Sequence, residues 1–289
     1  MSNLINIKNR INVVTNTRKI TNAMQLVSTS KLHRIINLTK NIKTYQNLVE
    51  TTFDNIVSKI TQEELNEIFP PKQETDATLY IIVTSDIGLC GSYNSNVINE
   101  LKKVIKPSDL VITLGTKGLN WIRVFKFKDQ LYKSYVNLED KLDYSIATEI
   151  GNLNFELFAK NKISSCKIIY TKFVNNLIQE VSVKQLFPYD SSHLEIKKES
   201  EQMEGDIEFE PSAEIILQRA FPLYVSSMIY VLVSLSKVSE LASRRVAMES
   251  ATDNADEIIS DLNLEYNSKR QSVITQEITE IVAGAQATN

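Results

Sequence analysis

Glycine and proline are absent from two long stretches of this chain, one towards each terminus. All seven glycines and all six prolines lie after residue 69, and residues 223–283 contain neither. These two residue types are the strongest local interruptions of a helix. Each stretch of about 60 residues can therefore form a single helix of roughly 90 Å, at about 1.5 Å per residue.

Apolar residues in both stretches repeat at spacings of three and four, which is the pattern of a coiled-coil seam. The repeat weakens between residues 18 and 28, where polar side chains occupy seam positions, so we expect a register shift or a partner contact there. The predicted seam residues are Leu4, Ile7, Ile11, Val14, Ile35, Leu38, Ile42, Tyr45, Val49, Phe53, Ile56 and Ile60 in the first stretch, Met248, Ala251, Ala255, Ile258, Leu262, Ile274, Ile278 and Ile281 in the last, and the polar positions are Arg18, Thr21, Gln25 and Ser28.

Helices of this length gain most of their stability by packing an apolar face, so we expect the two to pack on each other. The chain between them must join their ends, which predicts an antiparallel coiled coil with a globular domain inserted between its helices. The predicted divisions are residues 1–69 for the first helix, 70–208 for the central domain and 209–289 for the second helix.

The central segment alternates between strand and helix patterns, which predicts an open α/β (Rossmann-like) sheet with partly parallel strands. Residues 190–210 are acidic and rich in polar residues, and we predict a loop there before the last helix begins near Pro211. The predicted strands are 79–86, 110–115, 166–174 and 179–188, and the predicted helices are 93–105, one through Trp121, and 145–159.

Charge is unevenly distributed along the chain. The net charge is -3, yet residues 8–43 contain basic side chains and no acidic ones. The overall balance does not favour nucleic acid as the main partner, and no aromatic residue precedes Tyr45. The pattern leaves two interpretations of this basic helix open: a solvated face, or a face that contacts an acidic protein partner.

The turn at residues 88–92 follows the first predicted strand, where a doubly wound fold would hold a phosphate. It lacks the lysine of a P-loop and the third glycine of a dinucleotide motif, so we interpret it as a tight turn into a helix. Cys90 in this turn would need a general base to act as a nucleophile. The sequence places neither His33 nor His193 near it.

Other side chains give little indication of chemistry. Asp86, Asp253 and Asp256 form no convincing carboxylate pair, and the two helical aspartates favour a solvated or partner-facing surface. Two cysteines and two histidines fall short of the usual zinc ligand sets. We predict no catalytic, cofactor or metal site. The first residues contain neither a signal segment nor an anchor, so we expect an intracellular protein that reaches a membrane only through partners.

Residues 239–285 closely resemble the C-terminal helix of the gamma subunit of bacterial-type (F-type) rotary ATP synthases. Residues 7–32 are similar to that family's first helix and residues 84–97 to its first strand and turn, and residues 209–218 follow the family pattern. The blocks occur in the family's order and cover essentially the whole chain. The resemblance implies a subunit without catalytic residues, cofactor or small-molecule ligand.

The resemblance also implies a place in a larger machine. The two terminal helices would form an antiparallel coiled coil along the axis of a hexamer of alternating alpha and beta subunits. The central domain would lie beside the proton-conducting membrane ring and the epsilon subunit, at the cytoplasmic face of the membrane. Rotation of this asymmetric shaft would present a different face to each beta subunit and drive its nucleotide site through successive states.

Three sets of contact residues follow from the same resemblance. The first would hydrogen-bond a beta-subunit loop as a rotational catch, the second would face the acidic lever of the beta subunit, and the third would form the axle tip in an apolar sleeve. The acid-free first helix agrees with an acidic neighbour. The sets are Arg270, Gln271, Thr275 and Gln276 for the catch, Met24 and Arg244 for the lever, and Ile278, Ile281 and Val282 for the tip.

The chain departs from the family at Ile87, where an arginine is usual, and at Gln25, Arg245 and Ala283. The change at residue 87 and the divergent central domain leave the contacts with epsilon and the ring open. Two further functions remain: the shaft of a specialised rotary ATPase that turns a load other than a proton ring, and a coiled-coil adaptor. A nucleotide-dependent enzyme would need a fuller phosphate-binding motif.

Overall fold

The computed structural model describes residues 2–58, 75–125, 127–138, 143–188 and 213–287. Its backbone contacts divide the chain into two compact units, residues 1–30 with 244–289 (unit 1) and residues 31–243 (unit 2). The described helices are α1 (Ser2–Ser58), α2 (Tyr93–Val104), α3 (Thr116–Val124), α4 (Tyr144–Ala159) and α5 (Ala213–Ala287), with one 3-10 turn at Lys128–Gln130. The described strands are β1 (Thr78–Val83), β2 (Leu110–Leu114), β3 (Leu131–Tyr135), β4 (Ser165–Phe173) and β5 (Gln179–Phe187).

The two long helices predicted from the glycine and proline pattern are confirmed as α1 and α5. The predicted continuation of the first helix over residues 59–69, the loop at 190–210 and the helix start near Pro211 lie outside the described residues. Pro222 lies inside α5, and its carbonyl accepts a hydrogen bond of 2.6 Å from the Ser226 hydroxyl.

Unit 2 contains a five-stranded sheet in the order β3-β2-β1-β4-β5. β1 is parallel to β2 and β4, β2 is parallel to β3, and β5 is antiparallel to β4. Every residue of β1 is buried, as expected of a central parallel strand covered on both faces. The predicted open, partly parallel α/β sheet is therefore confirmed. The sequence prediction missed β3, which forms one edge of the sheet.

Helices cover both faces of this sheet. One cluster joins alternate β1 residues Leu79 and Ile81 to α4, α5 and the last turns of α1. The intervening residues Tyr80 and Ile82 belong to a second cluster with α2 and α3 on the opposite face. The period of two along β1 thus separates the two halves of the core.

The helix segments of unit 1 pair in antiparallel fashion. Thr21 bonds Thr252 through their hydroxyls at 2.8 Å, and Arg18, which precedes Thr21, pairs with Asp256, which follows Thr252. Of the two alternatives expected at residues 18–28, the described part of this unit shows no register shift, and the partner contact stays a prediction. Spacings of three and four continue through the polar positions, all of which are buried or half-buried: Arg18, Thr21, Gln25 and Ser28.

Some predicted seam residues were wrong because apolar character alone does not decide which helix face is covered. In unit 1, Ile258 is exposed and Ala251 half-buried, whereas Thr252 is buried on the paired face. In unit 2, Leu38 is exposed and the neighbouring Thr39 is buried, with its hydroxyl donating to the Ile35 carbonyl at 3.0 Å. A threonine hydroxyl that bonds a carbonyl of its own helix can be buried at a low cost in free energy.

The α1 and α5 segments of unit 2 are also antiparallel. Tyr45 and Ser227 share a hydrogen bond of 2.9 Å, and Phe53, further along α1, stacks on Tyr224, earlier in α5, with 4.4 Å between ring centroids. By length and composition α5 could cross a membrane, since it contains an 18-residue segment with a mean hydropathy of 1.5. However, 78% of that segment is buried inside the protein. A helix in a folded core meets the same criteria, and its apolar residues here pack on the sheet.

Candidate partner-binding surfaces

The crevice at the carboxyl ends of β1 and β4 is where an open α/β sheet would bind a ligand. Serines of α5 occupy it. The Ser236 hydroxyl bonds the Tyr93 hydroxyl at 2.8 Å and accepts from the Thr171 amide at 3.1 Å, and the Ser239 hydroxyl donates to the Thr171 carbonyl at 2.9 Å. The Ser243 hydroxyl donates to the Cys90 carbonyl at 2.7 Å. The crevice is therefore a helix-docking site in this chain, which agrees with interpreting residues 88–92 as a tight turn.

Asp86 ties together the strand ends beside this crevice. Its carboxylate accepts hydrogen bonds from the Thr116 hydroxyl at 2.6 Å and amide at 2.9 Å, and from the amides of Asn137 at 3.0 Å and Leu138 at 2.8 Å. Burial alone would raise the pKa of Asp86, but these hydrogen bonds, assisted by the charge of Lys237, lower it below its usual value. Asp86 is thus a structural anion that holds the first turn of α3 and the end of β3.

Cys90 is buried in the turn after β1. Its sulfur lies 3.2 Å from the side-chain amide nitrogen of Asn94 and 3.6 Å from the Ser85 hydroxyl oxygen. Neither contact supplies a general base, and His33 is exposed on α1, while His193 lies outside the described residues. Burial raises the pKa of the other thiol, Cys166, well above its usual value. Among the described residues, no group of three or more His, Cys, Asp and Glu side chains could hold a metal ion.

In the rotary ATPase assembly that the sequence resemblance implies, replacing Cys90 with serine is expected to change ATPase turnover by less than about twofold. A serine hydroxyl fits the same cavity and can bond Asn94 and Ser85, so the stability cost should be at most about 1 kcal/mol. Steady-state ATPase assays and size-exclusion chromatography of the assembled complex check both expectations. A loss of turnover above tenfold with assembly intact would instead give the thiol a chemical role.

The terminal part of α5 extends beyond the unit 1 coiled coil, and no other described part of the chain covers it. Leu262 is its last described buried side chain and Val273 its last half-buried one, and every described side chain from Ile274 to Ala283 is exposed. The predicted catch residues Arg270, Gln271, Thr275 and Gln276 are all exposed on this part of the helix. A shallow groove on α5 is lined by Ser268, Gln271, Ser272, Thr275, Gln276 and Thr279.

The predicted axle-tip residues continue this exposed surface. Ile278, Ile281 and Val282 are exposed, with Ile281 at 72%, and Ile274 precedes them at helical spacing. Large apolar residues grouped on one helix face and left in water indicate a binding surface. The structure therefore brings the catch and tip residues together on one helix segment, one set polar and the other apolar.

The predicted lever residues lie elsewhere in unit 1. Met24 is half-buried, and its carbonyl accepts the Ser28 hydroxyl at 2.7 Å. Arg244 is only 7% exposed, so most of its side chain is packed within the chain. The neighbouring Arg245, at a position where an apolar residue is usual in the resembled family, is half-buried and pairs with Glu249 at 3.1 Å.

One acidic neighbour of the basic α1 segment in unit 1 is α5 itself, which the sequence prediction missed. Residues 246–268 of α5 contain no lysine or arginine, and the Arg18–Asp256 pair joins the two helices. Comparing the charges of the two predicted helices could have revealed this complementarity. The acidic residues of this segment are Glu249, Asp253, Asp256, Glu257, Asp261 and Glu265.

Comparison with known proteins identifies the family. A family model described as ATP synthase matches residues 3–288. The ATP synthase gamma chain of Mycoplasmopsis synoviae (strain 53) is 99% identical over 289 residues, which is 100% of both chains. The gamma chain of Mycoplasma mobile is 41% identical over 288 residues, covering 99% of each. This chain belongs to the ATP synthase gamma-chain family.

Solved structures agree with the fold of this gamma-chain family. A chain of the Euglena gracilis mitochondrial ATP synthase, from a structure of OSCP, F1 and c-ring in rotational state 3, matches with a TM-score of 0.71. The match covers 99% of this chain and 95% of that chain at 17% identity, so it supports the fold alone. The family model and the curated relatives confirm the resemblance drawn from the terminal helices, and the gamma chain is a non-catalytic subunit of a membrane-associated ATP synthase complex.

Proposed function

We propose that this gamma chain is the rotating shaft that couples a proton-conducting membrane ring to an alpha/beta catalytic hexamer at the cytoplasmic face of the membrane. The bare terminal segment of α5 carries this proposal. A helix that leaves its coiled-coil partner with a polar face and an apolar face both exposed requires a surrounding partner. A sleeve formed by the hexamer would supply both kinds of contact.

The catch residues would act on the beta subunit through hydrogen bonds. Arg270 and Gln271 are neighbouring exposed donors on α5, and Thr275 and Gln276 lie about one turn further along. The Gln276 amide bonds Glu280 at 2.9 Å, so this end of the surface is already oriented within the helix. Ile278, Ile281 and Val282 would then enter the apolar sleeve, where burial of their side chains favours insertion of the shaft.

The lever contacts would use the other part of unit 1. Met24 offers a half-buried apolar edge, and the basic side chains of α1 favour an acidic lever on the beta subunit. Arg244 is packed within the chain, so it would support this surface from beneath and not present its charge to the lever. Because α5 neutralises only part of this charge, the exposed Lys8, Arg10 and Lys19 remain available for steering. We further propose the division into residues 1–69 and 209–289 for the shaft and 70–208 for the domain that meets epsilon and the ring.

Replacing Arg270 and Gln271 together with alanine is expected to lower ATPase turnover of the reconstituted alpha/beta/gamma assembly on the order of tenfold. The variant loses one charged and one neutral hydrogen-bonding group at the catch. Water replaces part of these bonds, and a net loss of about 1.4 kcal/mol corresponds to tenfold in rate. ATPase rate and single-molecule torque are measured on the same preparations. The chain itself should be unaffected, because both side chains are exposed.

A matched control removes one cation and one side-chain amide outside unit 1, Lys162→Ala with Asn152→Ala, both at exposed residues of unit 2. This control should retain turnover and torque within about twofold. Equal turnover in the catch variant, the control and the unmodified chain would remove the catch assignment. Equal losses in both variants would point to general destabilisation.

Purification of the gamma chain from its native host tests the complete assembly. Recovery with alpha-type, beta-type and ring subunits in an ATP-hydrolysing complex is the expected result. A catalytic hexamer bound to other components in place of the ring would identify a different load. Recovery without any hexamer would overturn the shaft proposal and favour the coiled-coil adaptor.

A further inference from the structure

Three aromatic rings stack on the surface of unit 2 where α3 ends. The ring centroid of Trp121 lies 4.7 Å from that of Phe125 and 5.5 Å from that of Phe127. The Lys102 ammonium, from the last turn of α2, lies 5.0 Å from the Trp121 centroid and 5.5 Å from that of Phe125. We call Lys102, Trp121, Phe125 and Phe127 the aromatic patch.

Only the inner part of this patch is needed to complete the core. Trp121 and Phe127 are half-buried and pack against the cluster beneath α2 and α3. Phe125 is 48% exposed and the adjacent Val124 80% exposed, and neither belongs to that cluster. Large apolar side chains that extend beyond the core they adjoin indicate a surface that meets something apolar.

The chain around the patch is strongly basic, although the protein as a whole has a net charge of -3. Residues 100–106 and 121–129 together contain six lysines and arginines and two acidic residues. One of these acids, Glu100, is paired with Lys103 at 2.7 Å. The basic residues are Lys102, Lys103, Lys106, Arg123, Lys126 and Lys128.

The patch lies at the end of the sheet where the parallel strands begin. Asp109 follows Lys106, one of the basic residues around the patch, and accepts hydrogen bonds from the Lys106 backbone amide at 2.6 Å and from the Thr78 backbone amide at the start of β1 at 2.8 Å. The side-chain amide of Gln130 also donates to the Lys106 carbonyl, which joins the turn after Phe127 to the end of α2. The serine-filled crevice and Asp86 lie at the opposite end.

We propose that the aromatic patch and its lysines bind an anionic phospholipid surface directly. Tryptophan and phenylalanine favour the headgroup boundary of a bilayer, and neighbouring lysines favour anionic headgroups. A single-stranded nucleic acid would need an open ring face on which to stack a base. The ring of Trp121 is instead stacked with Phe125 and Phe127 and approached by Lys102, so the geometry favours lipid. This lipid contact adds to any contact with the membrane ring.

Trp121 is the only tryptophan of the chain and therefore reports on the patch directly. The full chain is mixed with vesicles of phosphatidylcholine that contain roughly one-third phosphatidylglycerol. This anionic lipid gives the vesicles a strongly negative surface. We expect a blue shift of Trp121 emission, quenching by brominated lipid and co-flotation with the vesicles. Pure phosphatidylcholine vesicles should give none of these, and salt should weaken the binding.

Two exposed lysines of the patch region, Lys106 and Lys128, are replaced together by glutamate. Each basic residue near a membrane surface strengthens binding on the order of fivefold, so the partition coefficient should fall at least about 25-fold. Phe125→Ala should also weaken binding without changing the charge. The matched control, Lys117→Glu with Lys172→Glu, changes the same charge towards the carboxyl ends of the parallel strands and should bind nearly as well as the unmodified chain.

Several outcomes would overturn the proposal. These are equal binding to zwitterionic vesicles, equal weakening in the lysine variant and its control, and Trp121 emission that responds to oligo(dT) but not to anionic vesicles. Circular dichroism verifies that each variant is folded. Assembly with alpha and beta subunits is measured separately, so failure of lipid binding is distinct from failure of the shaft function.

Discussion

Replacing Phe221 with alanine is expected to lower the free energy of unfolding of the full chain by about 3–5 kcal/mol. Phe221 of α5 is 1% exposed, and its ring meets Phe187 of β5 edge to face, with 5.1 Å between centroids. Phe53 of α1 lies on another side, with 6.4 Å between centroids. Truncation would therefore leave a void where both long helices and the sheet meet, and rigid elements on three sides limit its collapse.

Leu223→Ala is the matched control, because Leu223 lies two positions along the same helix and is 60% exposed. It should change the free energy of unfolding by at most about 0.5 kcal/mol. Denaturant titrations followed by circular dichroism give both values. A loss in the Phe221 variant no larger than in the control would show that the three elements are not held together at this ring.

The length of the helices could be predicted because helix interruption is a local property. Residues 223–283 contain no glycine or proline, and α5 runs through all of them. The strands β1 and β2 were equally evident, since runs of buried branched residues such as 79–83 are typical of a covered parallel strand. These features depend on neighbours along the chain.

The edge strand β3 could not be predicted in the same way. Its sequence, Leu131–Tyr135, combines two tyrosines with a lysine and a serine, and its side chains are half-buried or exposed. Its extended structure depends on pairing with β2, which is interrupted by a register shift between Val111 and Ile112. Pairing of this kind is a non-local contact that a local pattern does not contain.

The coiled-coil seam shows a second limit of sequence reasoning. The predicted seam included Ala251 and Ile258 for their apolar character. The structure instead buries Thr252, whose hydroxyl bonds that of Thr21 on the other helix. A polar residue on a seam is favoured only when its partner on the facing helix satisfies it. The identity of that partner depends on the helix register, which a single helix does not fix.

The candidate binding residues were predictable to different degrees. Exposure of Arg270, Gln271 and Ile281 follows from α5 continuing beyond the last buried seam position, and sequence resemblance had already selected these positions. The aromatic patch was not found, because Lys102 lies on α2 and Trp121 on α3. Arg244, a predicted lever contact, is packed within the chain, which its charge alone did not indicate.

Replacing Asp86 with alanine is expected to lower the free energy of unfolding by about 3 kcal/mol near pH 7. The carboxylate accepts hydrogen bonds from Thr116 and Asn137, which lie 30 and 51 positions further along the chain. The variant therefore leaves several amide donors without their acceptor. Hydrogen bonds to a charged group contribute about 1.5–3 kcal/mol each, and the half-exposed position lets water recover part of the loss. Asp76→Ala, at an exposed aspartate before β1, is the control and should cost at most about 0.5 kcal/mol.

The pH dependence separates this carboxylate role from simple loss of packing. Folding lowers the pKa of Asp86. The contribution of its carboxylate to the free energy of unfolding is therefore complete when the pH is above the unfolded-state pKa of about 3.9, and it is lost as the pH falls through the folded-state pKa. The difference in the free energy of unfolding between the unmodified chain and Asp86→Ala should therefore be largest near pH 6–7 and shrink below about pH 4. Denaturant titrations at several pH values measure it. A difference that stays constant over this range would mean that the side chain acts by filling space, and the strand ends would then be held without its charge.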